Sequence, residues 1–206
     1  MARLVIPQPA TAAAPPNCVP PPPGIPDDES PRARFRPSRE AEARILLLID
    51  AFSRKNKTQE RYLEGRIKLA KLDFLLRYPR HLRQVLLTHG ANPAQIAGID
   101  PDEAPLDARM MRYRYGPWDP SYYAVLGSLI GRGLVDVKPL DKGFGYRTSV
   151  AGADLAAAIR ADDSFDPINQ RLTLLRRHLD RSGNVLKNYL YEIPEIADAA
   201  WHEDLT

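Results

Sequence analysis

Eleven of the chain's 20 prolines fall within its first 38 residues, including the unbroken run Pro20–Pro23. Proline has no backbone N–H and locks φ at about −65°, so a segment this rich in it builds neither a helix interior nor a sheet ladder. Residues 1–37 are therefore expected to be a disordered or polyproline-II tail. Residues 38–206 remain, enough for one domain with a substantial core.

Composition narrows the class of that domain. Of 206 residues, 44% are hydrophobic and 27% charged, with 29 Lys+Arg against 26 Asp+Glu. No stretch approaches the roughly 20 consecutive apolar residues that span a bilayer. Cys18 is the only cysteine, which excludes a disulfide scaffold, and His81, His89, His178 and His202 are too scattered to complete a zinc site with it. No cofactor is indicated. Met1–Ile6 lack the apolar run of a secretory signal, so a cytoplasmic address is expected. Residues 39–115 carry 15 basic and 10 acidic groups, and residues 116–206 carry 10 basic and 13 acidic. The front part is mildly basic, which suits an acidic partner or nucleic acid as well as an ordinary solvated surface.

Periodicity predicts mostly helix. Ser38 can cap a helix carrying Glu40 and Glu42 in its first turn and Ile45, Leu46, Leu48, Ile49 and Phe52 as its apolar set. A second helix is expected from about Gln59 to Arg77, with Leu63, Ile67, Ala70 and Phe74 on one face. Past Lys68 its apolar residues surround the axis, as in a helix buried on all sides. Pro79 starts a third helix, ended by Gly90. In the connector 91–107, short helical turns are expected at Asn92-Pro93 and Asp100-Pro101. Met110 to Tyr115 alternates as one strand, broken by Gly116-Pro117. Asp119-Pro120 caps and starts a helix to Arg132. Helices are further expected from Asp166-Pro167, over about Val185 to Tyr191, and after Pro194.

The most informative pattern begins at Leu126. Leu129 and Arg132-Gly133 end a helix, Leu134-Val135 open a strand, and Asp141-Lys142-Gly143 turn the chain. Tyr146-Arg147-Thr148 then return it towards a helix near Ala153. This is the helix–hairpin sequence of a winged-helix domain. The expected class is thus mostly α with a small β-hairpin wing, flanked by N- and C-terminal helices. The helix before the wing offers few side chains that read base edges: Ser121, Ser128 and Arg132 stand among Tyr122, Tyr123, Val125, Leu126, Leu129 and Ile130. The wing carries Lys138, Lys142 and Arg147, which could meet phosphate without sequence preference or serve only as a solvated hairpin.

No catalytic constellation is visible. Gly131-Arg132-Gly133 and Gly143-Phe144-Gly145 are turn glycines outside any phosphate-cradling context, and there is no nucleophile elbow. Asp27-Asp28, Asp102-Glu103 and Asp162-Asp163 are adjacent in sequence and read as solvated caps. Asp73 is different, because a carboxylate in the most buried helix needs a partner. Lys71, Arg77 or an arginine of the 109–114 strand could supply it. The segment Arg112 to Tyr123 packs Arg112, Arg114, Tyr113, Tyr115, Trp118, Tyr122 and Tyr123 together, the residue types of interface hot spots and equally of a core corner.

These motifs carry a resemblance. Lys71-Leu-Asp-Phe-Leu-Leu-Arg-Tyr-Pro79, Arg112-Tyr-Arg-Tyr-Gly-Pro-Trp-Asp119, Tyr122-Tyr123, the wing and Tyr191-Glu-Ile-Pro-Glu-Ile196 resemble the middle component of bacterial ABC-three-component systems, which include Lamassu-type anti-phage loci. The resemblance covers about residues 59–196 and leaves out the proline-rich tail. It implies a non-enzymatic subunit bridging an SMC/Rad50-like ABC ATPase and an effector, often a nuclease. It also implies that Asp73, Arg77 and Tyr78 form a structural motif. On this reading Arg112, Arg114, Tyr115, Trp118, Asp119 and Tyr122 are the candidate partner contacts, and weak DNA contact falls to the wing. The alternative is a free-standing winged-helix transcriptional regulator.

Deleting residues 1–37 should leave the thermal midpoint within a few degrees of the full chain. A fall of about 8 °C or more, the scale of roughly 2 kcal/mol in a domain of this size, would show that the tail is packed.

Overall fold

The computed structural model describes residues 37–53, 60–107 and 110–205. The expected tail therefore lies, apart from Pro37, outside the described residues. The first helix, α1 (Arg39–Ser53), begins where expected: Ser38 Oγ accepts from Ala41 N at 3.0 Å. Its inner face, including Ile45, Leu46, Leu48, Ile49 and Phe52, is buried.

The second helix is shorter than its periodicity suggests. Leu63–Glu64 form a strand, β1, and α2 runs over Gly65–Arg77. Long-range pairing claims Leu63 and Glu64, whose partners Tyr146 and Gly145 lie some eighty positions away, a contact that helical spacing cannot reveal. Ile67, expected on the core face, is 41% exposed. From Lys68 to Arg77 every residue of α2 is buried, as a helix with apolar residues all round requires.

α3 (Pro79–Thr88) starts on its proline. A 3₁₀ turn follows at Pro93–Ile96, where Asn92 and Gln95 cap each other reciprocally. Asp100-Pro101 forms only a turn, with the Asp100 carboxylate accepting from Asp102 N at 3.0 Å.

The segment after Met110 is a hairpin and not one strand. β2 (Met111–Tyr113) and β3 (Gly116–Trp118) pair antiparallel, with Met111 opposite Trp118 and Tyr113 opposite Gly116. Arg114 and Tyr115 form the reversal. Gly116 sits at φ +118°, a conformation that favours glycine, so it re-enters a strand where most residues would be strained. The chain's last described stretch lies along β2: Leu205 N donates to Met110 O and Arg112 N to Glu203 O, each at 2.7 Å.

α4 (Tyr122–Gly131), β4 (Val135–Leu140), β5 (Gly143–Thr148) and α5 (Val150–Arg160) follow the predicted helix–hairpin–helix order. The β4–β5 register places Val137 opposite Tyr146, and β1 joins the far side of β5, giving a three-stranded antiparallel sheet in the order β1-β5-β4. At the start of α5, a side chain at Gly152 would come within 1.9 Å of the Leu134 carbonyl, so only glycine lets the helix pack against the β4 entrance. α6 (Asp166–His178), α7 (Gly183–Tyr191) and α8 (Pro194–Ala197) complete the order. Among the described residues the architecture is α+β, mostly helical, and no helix is long and apolar enough to cross a membrane.

Where α1, α2 and the start of α4 meet, the core holds charge. Asp73 and Arg77 are both fully buried. Asp73 Oδ1 accepts from Arg44 Nε at 2.8 Å, and its Oδ2 accepts from the Tyr122 hydroxyl at 2.7 Å. Arg77 Nη1 lies 3.7 Å from Asp73 and donates to Asp119 at 2.8 Å, while its Nε donates to Leu106 O at 3.0 Å. Arg44 also reaches Asp107 at 3.0 Å. Of the partners expected for Asp73, Arg77 is present. Lys71 is not, because residues two apart on a helix point away from each other. Arg112 is not either: it turns to Ile196 O at 3.0 Å and to the Tyr113 carbonyl. The principal partner, Arg44, comes from another helix. Burial by itself lowers the Arg44 pKa, but Asp73 and Asp107 reverse this and hold its guanidinium above its ordinary value. Burial, reinforced by the Asp73 carboxylate, pushes the Tyr122 phenol well above its usual range, so it stays a donor.

Asp73→Ala should cost about 3–5 kcal/mol, because it leaves buried guanidiniums without a shared counter-charge. Urea unfolding should show a clearly lower midpoint. A loss below about 1 kcal/mol would mean that the network does not hold these helices together.

Candidate functional site

The outward side of this junction gathers several exposed aromatic residues. Tyr113 and Tyr115, from the β2–β3 hairpin, are 41% and 45% exposed, and Tyr123 at the start of α4 is 60% exposed. With Trp118, Ile67 and Arg66 they line a groove of about 330 Å³. The half-buried Trp118 ring is part of its lining, set edge-on to Tyr122 at 5.4 Å and to Tyr123 at 5.9 Å between centroids. Arg66 lies over the Tyr123 ring at 4.7 Å.

Of the six candidate partner contacts, Tyr115 and Trp118 line this groove, and exposed Arg114 lies over the Tyr115 ring at 5.4 Å. The others are drawn inward. Arg112 is 7% exposed and ties β2 to α8, its guanidinium lying 4.8 Å from the centre of the Tyr191 ring. Tyr122 is 1% exposed and its hydroxyl is committed to Asp73. Asp119 holds Arg77 with one oxygen and accepts from Ser121 N with the other, at 2.8 Å. Tyr78, placed with Asp73 and Arg77 in the sequence motif, is buried. Its hydroxyl donates to Leu205 O at 3.1 Å and accepts from Met110 N at 2.9 Å.

The three cations expected on a wing, Lys138, Lys142 and Arg147, separate on the β4–β5 hairpin. Arg147 Nη1 pairs with Glu60 at 2.8 Å and its Nη2 with Asp136 at 3.5 Å. Lys138 and Arg147 both lie over the Tyr62 ring, at 5.5 and 5.1 Å. Residues 138 and 147 therefore stand on a face of β4–β5 where Arg147 is already neutralised. Lys142, at the tip, points elsewhere. It joins a cleft of about 620 Å³ between the β4–β5 turn, the start of α2 and the start of α7.

That cleft adjoins the aromatic groove, since Arg66, Ile67 and Tyr115 line both. Its walls carry Arg66, Lys68, Lys71, Lys142 and Lys187, with Glu64 as the one carboxylate among the described lining residues. Lys71 is the unusual member. It is 3% exposed, and its ammonium donates to the Gly183 carbonyl at 3.0 Å. Among the described residues it has no carboxylate partner. Burial, with Lys187 adding repulsion, lowers its pKa to about 8. Burial likewise lowers that of Lys68, whose nearest counter-charge, Asp180 at 3.6 Å, is also shared by Arg61 and Arg176.

Neither Lys71 nor Lys187 was distinguishable as a site residue in the sequence. Lys71 sits in an apolar run, Lys187 lies over a hundred positions away, and only the docking of α7 on α2 makes them neighbours. Among the described residues, no group of three His, Cys, Asp or Glu side chains could hold a metal ion. No protein-family model, curated protein or solved structure matches this chain.

Because the Lys71 pKa is depressed, the native state binds fewer protons than the unfolded chain between about pH 8 and the ordinary lysine value of about 10.4. Across that window the wild type should gain stability, as pH rises, relative to Lys71→Met. Chemical unfolding of both proteins from pH 7 to 10 checks this. A constant difference between them would show that the ammonium pays no burial penalty.

Proposed function

We propose that this chain is a non-catalytic, winged-helix-like interaction subunit that bridges an SMC/Rad50-like ABC ATPase and an effector in a bacterial anti-phage complex. The motif resemblance supplies the identity of the partners. The observation that carries the interaction reading is the aromatic, largely uncharged character of the surface built from α4 and the β2–β3 hairpin. In a winged helix the first strand joins the outer side of the returning wing strand, and the helix before the wing is the one that reads DNA. The order β1-β5-β4, with α4 leading into β4, supports that likeness, and α3 with the β2–β3 hairpin is then an insertion between its second and third helices.

In this arrangement α4 is a poor reader of base edges. Its exposed residues include Tyr123, Gly127 and Ile130, and the first cation, Arg132, is held by Glu42 at 2.8 Å. A groove lined by Trp118, Tyr113, Tyr115 and Tyr123 is instead the composition of a protein-binding hot spot, where large rings bury much area at low entropic cost. The regulator reading would need cations or amides on that outward helix face.

Trp118→Ala should weaken capture of an SMC/Rad50-like ATPase partner by roughly 30-fold, or about 2 kcal/mol. Melting of the isolated variant, read alongside the co-purification, separates interface from core. A stable variant that still binds normally removes the groove from the interface. Tight selection of one operator sequence by the wild type at physiological salt would favour the regulator instead.

A further inference from the structure

We propose that the cleft between the β4–β5 turn, α2 and α7 binds the phosphodiester backbone of a single nucleic-acid strand. Lys71, Lys187 and Lys142 would surround a phosphate, and Tyr115 and Phe144 would stack on the flanking bases. This goes beyond the docking reading and does not rest on it, because it requires no partner protein.

Three observations converge. The first is an uncompensated buried cation. Lys71 is 3% exposed and lines the cleft, yet among the described residues its ammonium is met only by the Gly183 carbonyl. A buried ammonium without a counter-ion is costly, and it is retained where an anion completes it. The second is the shortage of carboxylates around it. Lys142 and Lys187 form no ion pair among the described residues. Lys187 lies over the Tyr191 ring at 5.3 Å. Lys68 is near Glu64, and it shares Asp180 with two arginines. The third observation selects the class of anion. Phe144 at the turn is 49% exposed and Tyr115 is 45% exposed, and both line the same cleft as the lysines. Arg114 lies over the Tyr115 ring at 5.4 Å, and cations interleaved with exposed aromatic rings match alternating phosphates and bases, which stack without regard to sequence. An acidic peptide would use the cations and leave the rings without a role. A duplex would hide its bases from them. The site is also separate from the wing positions 138 and 147, where Arg147 already has carboxylate partners.

The test uses the full chain and fluorescence anisotropy with a labelled 12-nucleotide oligo(dT), a duplex of the same length, and competitors. Oligo(dT) should bind several-fold more tightly than duplex, with affinity falling steeply as salt rises. Lys71→Met should weaken it about tenfold while leaving the melting temperature equal or raised, since it removes an uncompensated charge. Lys187→Met serves as the second variant should Lys71→Met fail to fold, and it should weaken binding several-fold. Each should also flatten the dependence of log affinity on log salt by about 0.7 for every phosphate that is no longer neutralised. Phe144→Ala should reduce binding of the strand and not of the duplex. The proposal is overturned if both lysine variants bind oligo(dT) as the wild type does, with the same salt slope. It is equally overturned if poly-glutamate competes as well as the strand, which would identify an acidic protein segment. A mononucleotide or inorganic phosphate competing at the same concentration as the oligonucleotide would assign the cleft to a free phosphate ligand and overturn the strand.

Discussion

The Asp73 carboxylate is the point on which the arrangement of this chain turns. It is fully buried on α2, and it is held by a guanidinium from α1 and a phenol from α4. Apolar packing alone would let three helices slide or rotate against one another at small cost, because hydrophobic burial is non-directional. Charge-assisted hydrogen bonds to one carboxylate are directional and short, so each helix is fixed in both rotation and translation. Arg77 extends the same device to Asp119, and through it to the corner where the hairpin hands over to α4. The internal network thereby decides where the external aromatic residues stand.

That connection explains why the aromatic segment divides as it does. Asp119 and Tyr122 are drawn in by Arg77 and Asp73, which leaves Trp118 between the network and solvent, half in the core and half in the groove. Core and interface are not alternatives for this ring. Its edge-on contacts with Tyr122 and Tyr123 fix its orientation, and its remaining surface meets the groove. A rigid, pre-oriented ring loses little freedom when a partner covers it, which favours binding. The proposed docking role and the structural role therefore reinforce each other.

The adjoining cleft follows the opposite electrostatic logic. Within the Asp73 network each charge is paired, whereas Lys71, on the same helix two residues away, has no counter-charge among the described residues. A helix rotates about 100° per residue, so those two positions point to different sides of α2, one into the network and one towards the cleft. One buried helix thus serves both a sealed ionic core and an open cationic site.

Much of the fold was legible in local sequence. Ser38, Pro79, Gly90 and Asp166-Pro167 mark helix ends by capping and φ constraints that act within a few residues, and the helix–turn–strand rhythm from Leu126 to Ala153 sets the order α4, β4, β5, α5. The buried character of α2 was equally plain, because apolar residues all around a helix exclude a wet face. Tertiary structure alone decided what depended on distant partners. Pairing with β5 made Leu63–Glu64 a strand. The returning strand at Gly116 and the Leu205 segment turned an apparent single strand into a hairpin bounded by the chain's last described stretch. Arg44 became the partner of Asp73 from 29 positions away. Lys71 and Lys187 met only through the docking of α7. Periodicity reports which faces are apolar, but it carries no information on which charged side chains share a buried space, since that depends on how the helices cross.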